Sequence, residues 1–166
     1  MLRISKLMDY GTLVLTHMAG TPDRVFSASE LASALRLGSP TVAKILKSLT
    51  QHGLLKSQRG SRGGYWLARP ASQINIVQIL DALDEQPFGL TECTSRPGVC
   101  SVEADCHVRT NWERISSLVR HTLEGVSVAD MLGSVPDRPI TFHSFSAIQS
   151  GVDTNPDTAS HDMEIS

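Results

Sequence analysis

The stretch from Gly38 to Pro70 reads GSPTVAKILKSLTQHGLLKSQRGSRGGYWLARP, and it carries two structural signals in succession. Gly38 marks a turn, Ser39 a helix N-cap, and Pro40 the first helical position, where a missing N–H costs nothing. Val42, Ile45, Leu46 and Leu49 then fall at i, i+3, i+4 and i+7, so the helix they predict buries one face. Thr41, Lys44, Lys47 and Ser48 are left on the other. The following residues alternate, turn through glycines and return with Tyr65, Trp66 and Leu67, which predicts a β-hairpin with a basic tip at Arg59 and Arg62.

The residues before this stretch supply the partner of its helix. SASELASALRL places Ser27 and Glu30 at the spacing of a capping box, ahead of a stripe of Leu31, Ala34 and Leu35. Further upstream, SKLMDYGTLVLTHMAG predicts a helix capped by Ser5 and ended by Gly20, with Leu7, Leu13, Val14 and Met18 on one side. Two short helices joined by a Gly-containing turn and followed by a hairpin are the order of a winged helix-turn-helix. In that arrangement the second helix enters the DNA major groove N-terminus first. Ser39, Thr41, Lys44 and Lys47 are then the candidate DNA contacts on the helix, with free N–H groups at its N-terminus suited to phosphate. Arg59 and Arg62 are the candidates on the wing, where small neighbours let the backbone approach a groove.

Charge supports that placement. Residues 1–80 carry ten Lys and Arg against three Asp and Glu, whereas residues 81–166 carry five against fourteen. From Arg36 to Arg69 there are seven Lys and Arg and no acid. A solvated polar face explains the caps equally well, but it does not explain two consecutive elements turning cations outward without acids between them. A polyanion partner, double-stranded DNA, accounts for both.

Downstream, NIVQILDALDE predicts a short amphipathic helix capped by Asn75. HVRTNWERISSLVRHTLEG predicts the longest helix, its stripe running through Val108, Trp112, Ile115, Leu118, Val119 and Thr122 or Leu123. That is more apolar surface than a terminal helix needs, so an isologous homodimer is expected. Ser127 and Asp130 cap a last short turn. The Pro-, Ser- and Asp-rich residues from 133 to 166 show no period and read as a disordered acidic tail.

Every cysteine lies in CTSRPGVCSVEADCH, Cys93 to His107. At 166 residues, with 40% apolar and 19% charged residues, the chain has material for a true core and does not need disulfides to fold. Asp9 and Gly11 interrupt any signal-peptide layout, and no apolar run is long enough to span a bilayer. The expected location is the cytoplasm, where thiols stay reduced. Three close thiols there suggest metal or redox chemistry. The spacing Cys93-x6-Cys100-x5-Cys106 lacks the paired knuckles of a zinc finger. It suits an iron–sulfur cluster, whose irons spread over several ångströms. Three thiolates leave an iron position open, and His107, Glu92, Glu103 and Asp105 are near it in sequence. A structural zinc or redox-active thiols are the alternatives. A thiol oxidoreductase would need a CxxC pair or an activated nucleophile, and neither occurs, so no enzyme is expected.

Three segments together carry a family resemblance: MLRISKLMDYGTLVL, SPTVAKILKSLTQHGLL with RGGYWLARP, and LTECTSRPGVCSVEADC followed by NWERISSLVR. Over residues 1 to about 132 the chain resembles the IscR/NsrR family of bacterial iron–sulfur winged-helix regulators. It looks most like the subgroup that regulates the SUF iron–sulfur assembly operon. The resemblance implies a mainly α fold with a small β-hairpin wing. It also implies a cluster (2Fe–2S or 4Fe–4S) held by Cys93, Cys100 and Cys106, a homodimer crossed through the last helix, and control of cluster-assembly genes by repression. In the nitric-oxide-sensing branch an aspartate from the other subunit completes the cluster, and Asp9 falls at that position. In the IscR branch the fourth ligand is a histidine three residues after the third cysteine. That position is Arg109 here, and His107 is displaced from it. The expected organisation is a winged helix-turn-helix over 1–85, a cluster loop over 86–106, a dimerisation region over 107–132 and the tail.

Overall fold

The computed structural model describes residues 4–60, 63–84 and 88–133. The expected tail, apart from Gly133, and Arg62 at the hairpin tip lie outside the described residues. The chain runs α1 (Lys6–Ala19), α2 (Ala28–Leu35), α3 (Ser39–Gln51), β1 (Leu55–Gln58), β2 (Gly64–Leu67), α4 (Ile76–Leu83), α5 (Glu92–Ser95) and α6 (Arg109–Glu124). The fold is mostly helical with one small antiparallel hairpin, a winged helix. No helix among the described residues is long and apolar enough to cross a membrane.

Local signals explain most boundaries. Ser5 accepts a hydrogen bond from the Met8 N–H and caps α1. Asn75 and Gln78 form a reciprocal capping box at the start of α4. Ser27 caps α2 by accepting from the Glu30 N–H, while the Glu30 carboxylate turns away to pair with Arg24. The N-cap of α3 is Gly38 rather than Ser39, which is already the first helical residue, and no side chain caps this end. The α2 helix ends at Arg36 in the left-handed conformation, with φ +53°.

The core gathers Met8, Val14, Leu15 and Met18 of α1, Leu31 of α2, the Val42–Leu49 stripe of α3 and Ile76, Ile79, Leu80 and Leu83 of α4. Two residues expected on inner stripes, Leu13 and Ala34, face outward instead. Gly11 is buried mid-helix because α1 packs closely on α4: a Cβ there would stand 2.1 Å from Leu83 Cδ1. Ser48 also departs from the expected outer face of α3, since its hydroxyl donates to the Ala82 carbonyl across to α4.

The hairpin pairs Leu55 with Leu67 and Gln58 with Gly64. It is tied to the helical body by Phe26, which exchanges backbone hydrogen bonds of 2.9 and 2.8 Å with Tyr65. After α6 the chain returns beside Ile74–Ile76, where the Val128 N–H donates to the Ile74 carbonyl and the Ile76 N–H to the Val126 carbonyl. Val128 is fully buried there.

Candidate functional site

The cationic surface rests on α3 and the hairpin. Burying Val42, Ile45, Leu46 and Leu49 turns the opposite face of α3 outward. Ser39, Lys44 and Lys47 are exposed, and Thr41 is half-buried beside the helix start. On the hairpin, Lys56 and Arg59 are exposed. The N-terminal amides of α3 lack a side-chain acceptor, and the macrodipole adds partial positive charge at the same end. The surface therefore offers point cations, a hydroxyl and oriented N–H donors without an acid in the same stretch of chain.

The cysteine loop is built differently. Thr91 and Thr94 form a capping box that starts the single turn α5, and Cys93 sits in that turn with its Sγ 3.3 Å from Thr91 Oγ1. Gly98 takes a positive φ of +85°, which bends the chain back toward Glu103. The Gly98 N–H donates to Glu103 Oε2 at 2.7 Å, and Glu103 Oε1 lies 3.1 Å from Arg109 Nη1. The Glu103 side chain is only 10% exposed, so one carboxylate closes the loop and joins it to the start of α6. Arg109 also bonds Glu113 at 2.9 Å. These partners raise its pKa, the Glu113 hydrogen bond first and the Glu103 charge second.

All three cysteines are free thiols and half-buried on this loop. Their soft sulfur donors fit an iron–sulfur cluster chemically. Among the described residues, however, no three His, Cys, Asp or Glu side chains are gathered as a metal would require. Asp9 is exposed in the first turn of α1, and His107 is exposed next to Cys106, ahead of α6 rather than within it. Arg109 is occupied by its two carboxylates.

Polar residues not anticipated in the sequence hold this region together. Ser116, the one buried residue of α6, accepts from the Leu90 N–H at 3.2 Å and donates to Thr94 Oγ1 at 3.4 Å, so it seats α5 on α6. Arg120 forms a two-pronged pair with Asp81 of α4 at 2.6 and 3.0 Å. A serine inside an apolar stripe was the available signal for the first; nothing local announces the second, whose partners are 39 residues apart.

Part of the outer side of α6 is apolar and exposed among the described residues. Trp112, Ile115 and Leu118 are 40%, 43% and 45% exposed, and Val108 joins them. Leu123 and Val126 at the far end do pack on the core.

Comparison with known proteins agrees with this architecture. The model of the Rrf2 family, described as iron-dependent transcriptional regulators, matches residues 4–134. A protein of Aquifex aeolicus (strain VF5), described as an HTH-type transcriptional regulator, is 28% identical over 130 residues, covering 77% of this chain and 90% of its own. The structure of CymR, the global cysteine regulator of B. subtilis, superposes with a TM-score of 0.62 at 26% identity, over 80% of this chain and 97% of that one. T. potens IscR gives 0.61 at 26% identity, over 79% and 86%.

Proposed function

Because the chain belongs to the Rrf2 family of transcriptional regulators, we propose that it is a DNA-binding repressor of iron–sulfur assembly genes whose operator affinity follows the state of its cysteine loop. The observation that carries the DNA half is the acid-free run from Arg36 to Arg69. Of its seven cations, Arg36, Lys44, Lys47, Lys56 and Arg59 are exposed. In this reading α3 enters the major groove by its N-terminus. Ser39 and Thr41 and the free amides around them meet phosphate or base edges, Lys44 and Lys47 follow along the groove, and Arg59 and Arg62 reach from the wing. The uncovered face of α6 becomes the interface of a homodimer, so that two recognition helices read a pseudo-palindromic site.

The cysteine loop is the sensing element. Cys93, Cys100 and Cys106 would hold an iron–sulfur cluster, and Asp9 from a second copy or the neighbouring His107 would complete its ligands; the likeness to T. potens IscR supports this reading. When bound, such a cluster supplies redox and ligand-exchange chemistry. The chain's own part is mechanical. The loop passes directly into α6 through Glu103 and Arg109, so drawing the three thiols together resets the angle at which α6 leaves the loop. The spacing of the two DNA-reading heads changes with it. A tenfold change in affinity needs only about 1.4 kcal/mol of coupling. The corresponding organisation is a DNA-reading unit to residue 85, the loop to 106 and a dimerisation region to 132.

A second reading keeps the DNA face and lets redox-active thiols or a structural zinc occupy the loop. Its thiol form is favoured by the lack of a gathered metal-ligand set among the described residues and by the likeness to CymR, whereas a structural zinc would need the same gathering as a cluster. One experiment decides between them. Iron, zinc and acid-labile sulfide are measured per subunit on anaerobically purified protein, beside operator affinity with and without the bound metal. The cluster reading expects iron and sulfide together, loss of both in Cys93→Ala, Cys100→Ala and Cys106→Ala, and at least a several-fold difference in affinity. Zinc alone, or equal affinities in the two states, would overturn it.

A further inference from the structure

The end of α4 meets three other helices through four consecutive residues. Asp81 accepts two hydrogen bonds from the guanidinium of Arg120 on α6, at 3.0 and 2.6 Å. The Ala82 carbonyl accepts from the Ser48 hydroxyl of α3. Leu83 packs against Gly11 of α1, where a Cβ would stand 2.1 Å from Leu83 Cδ1. Asp84 Oδ1 accepts from the hydroxyl of Ser5, the N-cap of α1, at 3.1 Å. These four joints differ in kind. The Ala82 carbonyl belongs to a last helical turn, whose carbonyls lack intrahelical partners, and Ala82 is buried, so Ser48 satisfies a group that would be costly to leave alone. Leu83 is buried too, and close packing makes α1, α3 and α4 one body. The side chains of Arg120 and Asp81 are 37% and 42% exposed, so their pair can break without opening the core.

Arg120 lies one turn after Ser116 on the same face of α6. Ser116 seats α5, and with it the start of the cysteine loop, on α6. Arg120 seats α6 on α4, and Glu124 Oε1, 3.6 Å from Arg120 Nε, steadies the guanidinium from its own helix. With α3 on DNA and α6 against a second copy, the reading proposed above on which this rests, we infer that Arg120 and Asp81 are positioning residues for operator recognition: their pair fixes the angle at which α6 crosses the DNA-reading body. A guanidinium fork on a carboxylate fixes orientation as well as distance. The recognition helix follows α4 through Ser48. In a two-fold dimer crossed through α6, the same angle is applied at both subunits and sets the separation of the two copies of α3. Without the pair, Leu123 still packs α6 on the core, but the angle is free to vary. The two reading bodies then accept a range of half-site spacings in place of one. An exposed pair adds little to stability, so its weight falls on spacing selectivity.

The test uses the full chain and four duplexes: the operator it selects from a random pool, the same operator with one base pair inserted or removed between the half-sites, and a single half-site. One base pair moves a half-site by about 3.4 Å and turns it by about 35°. Wild type should prefer the selected spacing to both altered ones. Asp81→Asn and Arg120→Gln should each lose about fivefold or more in affinity for the selected spacing, while binding the single half-site as wild type does. The three spacings then become nearly equivalent. The double variant should lose no more than either single one, because both changes remove the same interaction. Dimerisation in sedimentation equilibrium and the melting temperature should stay close to those of wild type. An undiminished spacing preference in both single variants overturns the joint. So does an equal loss on the single half-site, which would make the pair part of the fold of the reading body, and so do a weakened dimer or losses that add in the double variant. A wild type that binds the single half-site as tightly as the full operator would remove the dimeric reading itself, and the joint with it.

Discussion

The helices α3 and α6 are both amphipathic, yet their apolar stripes end differently. In α3 all four stripe residues, Val42, Ile45, Leu46 and Leu49, are fully buried within one chain. In α6 the only buried residue is a serine, while Trp112, Ile115 and Leu118 remain about two-fifths exposed. The same periodic pattern thus reports a finished interface in one place and an open one in the other. The half that carries the cationic surface is complete as a single chain. The half that carries the cysteines is held by hydrogen bonds and ion pairs through Ser116, Glu103 and Arg120, and among the described residues Trp112, Ile115 and Leu118 stay exposed on it.

The largest effect expected from this contrast is in α3. Leu46→Ala should lower unfolding stability by about 2–5 kcal/mol in urea titrations, by the same amount at every protein concentration, since the cavity forms inside one chain. The matching change in α6 should behave in the opposite manner. Ile115→Asp should leave the stability of the dilute chain nearly unchanged but weaken self-association by about 2–4 kcal/mol, measured by sedimentation equilibrium. Wild-type protein should accordingly show a melting temperature that rises with concentration, and the variant one that does not. A concentration-independent melting temperature for the wild type, with a monomer at micromolar concentration, would break the comparison.

Close packing sharpens it further. Gly11→Ala places a methyl group against Leu83, and overpacking of this kind typically costs about 1–3 kcal/mol. Because Leu83 lies in the completed half, this loss too should be independent of concentration in the same denaturation assay.

The smallest effect concerns the turn after α6. The Ser127 hydroxyl and N–H both donate to the Asp130 carboxylate, the hydroxyl at 2.6 Å, and hold its pKa below the usual value of 3.8. A carboxyl whose folded pKa is depressed contributes stability above its unfolded pKa and loses it as pH falls through the folded one. The group is almost fully solvated, so its contribution should not exceed about 0.5 kcal/mol. Stability curves of wild type and Asp130→Asn should run parallel and separated by that amount above pH 4, and converge below it. A separation that persists into strong acid would mean that Asp130 acts through something other than its charge.

The sequence by itself determined what is local. Helix starts at Ser5, Ser27 and Asn75, the buried stripe of α3, the hairpin that follows it and the acid-free run between Arg36 and Arg69 all rest on residues within one or two turns of each other. Spacing alone states which groups can meet there. It also assembled three thiols on one short loop and so bounded the chemistry that loop can hold. The tertiary structure decided what depends on distant chain. Ser48 leaves the outer face because the Ala82 carbonyl, 34 residues on, offers an acceptor. Gly11 is required because α4 arrives against it. In the stripe of α6, Leu123 packs on the core while Trp112, Ile115 and Leu118 stay exposed among the described residues. Periodicity fixes which side chains share a face, but burial is a property of what another segment brings to that face, and no local pattern encodes its arrival.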